Sequence, residues 1–132
     1  MVGKVILLDT CALVWWTLDP DKLSGKARRA CDSIMMRGAL VSSVSFWEIG
    51  IKIKKRKLEV DVSLREYLER IRSMGTVTIV PVDERIWLAS IELDWDHSDP
   101  ADRVIVSTAK INKASIVTSD AIIRGYYKKT IW

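Results

Sequence analysis

Two spacings of hydrophobic residues alternate along this chain. Val5-Ile6-Leu7-Leu8 is an unbroken apolar run, the pattern of a short strand buried on both faces. It stops at Asp9 and Thr10, and Cys11 to Leu18 continues as a helix. Asp19-Pro20-Asp21 marks a turn; Ser24 then caps a helix running to about Arg37, which Gly38 ends. Ala39 to Ser43 reads as a second strand and Val44 to Lys57 as a third helix. Ser63 caps a fourth helix reaching Met74, with Glu66 completing a capping box. Thr76-Val77-Thr78-Ile79-Val80 is a β-rich run stopped by Pro81, and Asp83 caps the next helix through Leu93. Pro100 to about Lys113 is helical, Ser115 to Ser119 is a strand, a short helix starts at Ala121, and a last strand lies near Lys129 to Trp132.

Strands alternating with helices predict an α/β fold, with a central parallel sheet of four to five strands covered by helices on both faces. The 132 residues suffice for one domain with its own core. No stretch reaches the roughly 18 apolar residues of a membrane span. Asp9 interrupts the early apolar run, which also argues against a signal peptide. Cys11 and Cys31 show neither metal-ligand spacing nor a disulfide framework, so a reduced, cytoplasmic chain is expected.

The net charge of +4 is a mild excess, compatible with nucleic-acid binding. Its distribution says more. Lys52, Lys54, Lys55, Arg56 and Lys57 form one dense cluster. Such cations suit the negative end of a helix, and they equally suit phosphates.

Four acids stand where apolar residues are expected. Asp9 ends the first strand; taken alone, it is best read as a cap for the helix that follows. Glu48 shares a helical face with Val44, Trp47 and Ile51. Asp102 precedes Ile105, Val106 and Ala109 at core-facing spacing, while Asp99 and Pro100 form the helix start. Asp120 ends the strand Ile116 to Ser119 as Asp9 ends the first. In a parallel sheet, strand-end acids lie where ligands gather, and all four can face one site. Gathered carboxylates repel unless a cation joins them. Oxygen donors without a cysteine or histidine cluster suit Mg²⁺ or Mn²⁺. His97, the only histidine, reads as a structural donor.

Leu7-Leu8-Asp9-Thr10, Ser45-Phe46-Trp47-Glu48-Ile49, Asp99-Pro100-Ala101-Asp102-Arg103 with Ile105-Val106, and Val117-Thr118-Ser119-Asp120 resemble, in order and separation, the PIN-domain ribonucleases. The likeness is closest to the VapC toxins of toxin–antitoxin pairs. It implies that Asp9, Glu48, Asp102 and Asp120 are catalytic, metal-binding acids, with Asp99 accessory. Thr10, Thr118 and Ser119 would support them, and Lys52, Lys54, Lys55, Arg56 and Arg103 would contact RNA. The resemblance also implies Mg²⁺- or Mn²⁺-dependent RNA cleavage, a homodimer, and a VapB-like antitoxin lying across the site. Trp15, Trp16, Phe46 and Trp47 are candidates for that contact, although core packing explains at least two of them. Ala101 departs from the bulky residue common at its position, which opens the groove rim but leaves every acid in place.

The rival readings are a PIN fold that binds RNA or a partner without cutting, and an α/β phosphatase or receiver with an aspartyl nucleophile. Cys11 argues against the latter, which usually carries a second aspartate there. Cleavage by an activated water predicts 5′-phosphate and 3′-hydroxyl ends.

Overall fold

The structure, a computed structural model, describes residues 4–132. Five strands form one sheet: β1 Ile6–Leu8, β2 Ala39–Ser42, β3 Val77–Val80, β4 Ser115–Val117 and β5 Thr130–Ile131. Their order is β3-β2-β1-β4-β5, and every pairing is parallel. Parallel neighbours require crossovers, and helices supply them. These are α1 Thr10–Leu18, α2 Gly25–Asp32, α3 Ile34–Arg37, α4 Val44–Lys54, α5 Leu64–Ser73, α6 Glu84–Glu92, α7 Pro100–Asn112 and α8 Ala121–Tyr126.

The unbroken apolar run in β1 follows from its central position. Ile6 and Leu8 face one core, with Leu13, Ile34, Val41, Phe46, Ile49 and Ile71. Leu7 faces the other, with Ile105, Val106, Ala109, Ile116 and Ile123. Alternate residues of one strand therefore feed two cores, so a strand between them has no wet side.

Three local expectations need correction. The helix expected from Ser24 to Arg37 breaks at Ser33, whose hydroxyl donates to the Ala30 carbonyl at 2.6 Å. That bond offers the backbone an alternative to the helical ladder. Helix α4 stops at Lys54 rather than Lys57: Arg56 turns left-handed at φ 56°, and the Lys57 N–H closes on the Lys52 carbonyl at 2.8 Å. The basic cluster thus wraps a helix end. The capping box of α5 is half formed, since Ser63 accepts from the Glu66 N–H at 3.1 Å while the Glu66 carboxylate pairs with Arg70.

Gly38 is required where it stands. Its φ is +79°, and a Cβ there would lie 2.9 Å from the Thr76 carbonyl oxygen, the atom that accepts from the Ala39 N–H at 3.0 Å. Gly38→Ala is expected to lower stability by about 2 kcal/mol. A urea midpoint equal to wild type would contradict this.

Candidate active site

The sheet reverses its strand order at β1, growing to β2 and β3 on one side and to β4 and β5 on the other. The carboxyl ends of β1 and β4 therefore bound the crevice in which open α/β sheets bind ligands. Asp9 directly follows β1, and Asp120 stands three residues beyond β4.

Asp9 is both cap and buried acid. Its Oδ1 accepts from the Ala12 N–H at 2.8 Å, and the residue is only 6% exposed. Thr118, fully buried, accepts from the Asp120 N–H at 3.0 Å, and its hydroxyl lies near enough to Asp9 to favour the ionised carboxylate. One side chain thus neighbours both strand-end acids. Burial pushes the Asp9 carboxyl up to about 6; the Thr118 hydroxyl and the Ala12 N–H oppose this, and the charges of Asp102 and Asp120 add to it. Asp120 itself caps α8, accepting from the N–H groups of Ile122 and Ile123 at 2.8 and 3.2 Å.

Glu48 is half-buried on α4. Helix α4 buries Ser45, Phe46 and Ile49 most deeply, while on the face of Glu48 Val44 and Ile51 are half-buried and Trp47 is exposed. There the Thr10 hydroxyl donates to Glu48 Oε1. Ser45 Oγ stands 2.9 Å from Thr10 Oγ1, and with the Thr10 proton on Glu48 it is Ser45 that donates. Ser45 is a supporting residue that sequence reasoning missed; a small buried hydroxyl three residues before an acid carries little signal. Burial raises the Glu48 carboxyl, the Thr10 bond and Lys52 oppose it, and Asp102 and Asp99 raise it further.

Asp102 begins α7, its N–H bonded to the Oδ1 of Asp99 at 2.9 Å. Its Oδ2 lies 2.8 Å from His97 Nε2. Burial raises the Asp102 carboxyl, the His97 bond lowers it, and Asp99 and Asp120 raise it. Asp9, Glu48, Asp99, Asp102 and Asp120 therefore sense one another's charge across the crevice. Such mutually destabilised oxygen donors match a hard divalent cation in chemistry. Their spacing is not preformed, since among the described residues no three His, Cys, Asp or Glu side chains stand close enough to enclose an ion.

A family model for the PIN domain matches residues 6–129. The chain belongs to the PIN-domain family. Ribonuclease VapC22 of Mycobacterium tuberculosis is 25% identical over 132 residues, covering 96% of this chain and 98% of that one. Among solved structures, M. tuberculosis VapC20, described as a sarcin-ricin loop cleaving toxin, superposes with a TM-score of 0.68 at 14% identity, covering 91% of this chain and 93% of that one. A toxin–antitoxin complex from Klebsiella pneumoniae gives 0.66 at 18% identity, with 96% of each chain covered. At these identities the structural likenesses speak for the fold alone.

Around the acids of this PIN domain, the remaining expected residues separate. Lys52 is half-buried one turn beyond Glu48 and close enough to lower its carboxyl, while Lys54, Lys55 and Arg56 are exposed at the end of α4. Arg103 is a correction. It was expected to contact RNA, but its guanidinium donates to five main-chain carbonyls, which leaves no N–H for a phosphate. Phe46 is also corrected: it is buried against Tyr67 and offers no surface to an antitoxin. Trp15 and Trp16 are half-buried on the core, Trp15 against Trp132. Trp47 is 63% exposed and lines a cavity of about 400 Å³ with Val44, Trp87, Pro100 and Ala101. Among the described residues Ser119 joins none of the hydrogen bonds that tie the acids.

Proposed function

We propose that this PIN domain is a metal-dependent endoribonuclease, the toxin of a toxin–antitoxin pair. The observation that carries the reading is the convergence of Asp9, Glu48, Asp102 and Asp120 at the β1–β4 crevice, each of the first three with a raised carboxyl. The ribonuclease relative, similar over nearly all of both chains, supports the same conclusion.

Asp9, Glu48, Asp102 and Asp120 would hold the cation, with Asp99 beside them. Bound there, Mg²⁺ or Mn²⁺ supplies an activated water at neutral pH and relieves charge on the leaving oxygen of a phosphodiester. The chain's own residues do the rest. Thr10, Ser45 and Thr118 hold the carboxylates in orientation, and the apolar cores beneath them keep the crevice floor dry. Lys52, Lys54, Lys55 and Arg56 carry the cationic surface that offsets the acids toward a polyanion. A VapB-like antitoxin and a second copy of the chain are the expected partners, with Trp47 the most exposed aromatic available to a partner. Among the described residues no helix is long and apolar enough to cross a membrane; a reduced, cytoplasmic setting agrees with the free thiols of Cys11 and Cys31.

The alternative reading is an RNA-binding PIN fold that does not cut. End-group analysis of RNA incubated with Mn²⁺ separates the two. The nuclease leaves 5′-phosphate and 3′-hydroxyl ends, the binding module leaves RNA intact, and 2′,3′-cyclic phosphate would overturn the proposed chemistry. Replacing Lys54, Lys55 and Arg56 together by alanine is expected to weaken RNA binding at low salt. It should also flatten the salt dependence, by up to about 0.7 per lost phosphate contact on single-stranded RNA. An unchanged slope would exclude these cations from the RNA path.

A further inference from the structure

The segment between α6 and α7 has no regular structure, yet its path is tightly determined. All five N–H groups of Arg103 are taken up by main-chain carbonyls of that segment and the helix turn before it. Nε donates to Ser90 at 2.9 Å, Nη1 to Trp95 at 2.5 Å and His97 at 2.8 Å, and Nη2 to Ile91 at 3.3 Å and Leu93 at 3.0 Å. Only a guanidinium has five donors in a fixed fork. A lysine has three on a flexible stem and would leave at least two of these carbonyls open.

The segment so held delivers one side chain to the acids. The Trp95 ring lies parallel on Tyr126, centroids 4.5 Å apart and planes 6° from each other, and its neighbour on the crevice side is His97 at 4.8 Å. The Nε2 of His97 stands 2.8 Å from Asp102 Oδ2. Ordinary loop tethering explains Arg103 but not why the tethered loop ends on a carboxylate of the crevice.

We infer that His97 is a positioning residue of the acid site: clamped by Arg103 and Trp95, its Nε2–H fixes one oxygen of Asp102 and leaves the other for the cation. The inference rests on the reading of Asp102 as a metal ligand. Groups that hydrogen-bond metal-binding carboxylates orient them, and losing one costs about 10–100-fold in metal affinity or activity. The side chain of His97 can be removed without touching the clamp, because Arg103 binds only the His97 main chain.

The test is Mn²⁺ calorimetry on metal-free protein, read beside kcat and KM for RNA. His97→Ala should weaken Mn²⁺ by about tenfold or more and lower kcat, with KM for RNA and the melting point in chelator unchanged. His97→Gln, whose amide can donate to Asp102 in the same way, should recover most of both losses. Arg103→Lys should weaken Mn²⁺ although His97 is present. Mn²⁺ affinity and kcat in His97→Ala equal to wild type would overturn the inference, and failure of Gln to restore them would overturn the hydrogen bond as its basis. If wild type itself binds no Mn²⁺, the metal-site reading fails and the inference with it. If wild type binds Mn²⁺ but cuts no RNA, only the nuclease reading fails, and the calorimetric comparison still decides the role of His97.

Discussion

Asp9→Asn is expected to abolish RNA cleavage while making the metal-free protein more stable at pH 7.5. Both effects follow from the position of Asp9. Its carboxyl is buried at the end of β1, and burial with the charges of Asp102 and Asp120 raises it from an ordinary 3.8 to about 6. The folded state therefore holds a proton that the unfolded chain gives up sooner, and above pH 6 the ionised group works against folding. A difference of about two units corresponds to roughly 3 kcal/mol as an upper figure. Asparagine removes the charge, still caps α1 by accepting from the Ala12 N–H, and keeps nearly the same volume. It forfeits the favourable interactions of the charge with Thr118 and the Ala12 N–H, so the expected gain is about 1–3 kcal/mol. Cleavage should fall to the level of wild type in chelator, because the variant lacks a central oxyanion donor. A destabilised Asp9→Asn, or one that still cuts, would show that Asp9 is a structural cap and no more.

Wild type without metal should lose stability as pH rises from about 4 through 6, and Mn²⁺ should reverse that trend. The sign is set by Asp9: a carboxyl raised in the folded state contributes stability below its unfolded value of 3.8, and that contribution disappears as pH passes about 6. A cation bound among Asp9, Glu48, Asp102 and Asp120 binds the ionised forms and only the folded chain. At 100 times its dissociation constant it adds about 2.7 kcal/mol, with the addition largest above pH 6, where protons no longer compete. Thermal melts at pH 5 and 7.5, each with Mn²⁺ and with chelator, measure this directly. Equal melting points with and without Mn²⁺ at pH 7.5 would remove the cation from the crevice.

What was legible in the sequence depended on how local its cause was. The unbroken run before Asp9 shows a central strand because only a strand buried on both sides lacks a polar position. The alternation of strands and helices likewise forces parallel pairing, and the sheet is parallel throughout. Asp9 and Asp120 stand out because strand ends in such sheets converge. The errors have nonlocal causes. Spacing leaves more than one face of α4 apolar, since Trp47 is as apolar as Phe46, and only packing against Tyr67 decides that Phe46 is the buried one. The break at Ser33 comes from one hydroxyl turning back on its own helix. Arg103 looked like a cation available to RNA because its five carbonyl partners, spread over residues 90–97, carry no sequence signature. His97 reads from the sequence as a structural donor, but its partner, Asp102, emerges only once the chain path is known.

The most direct test of the nuclease reading is cleavage of a labelled, structured RNA by wild type and by Asp102→Asn. Each is run with Mg²⁺, with Mn²⁺ and with chelator, on protein freed of any copurifying antitoxin. Metal-dependent cutting by wild type alone is the predicted result. Equal cutting by both proteins, or wild type that binds the RNA in every condition and cuts it in none, would contradict it.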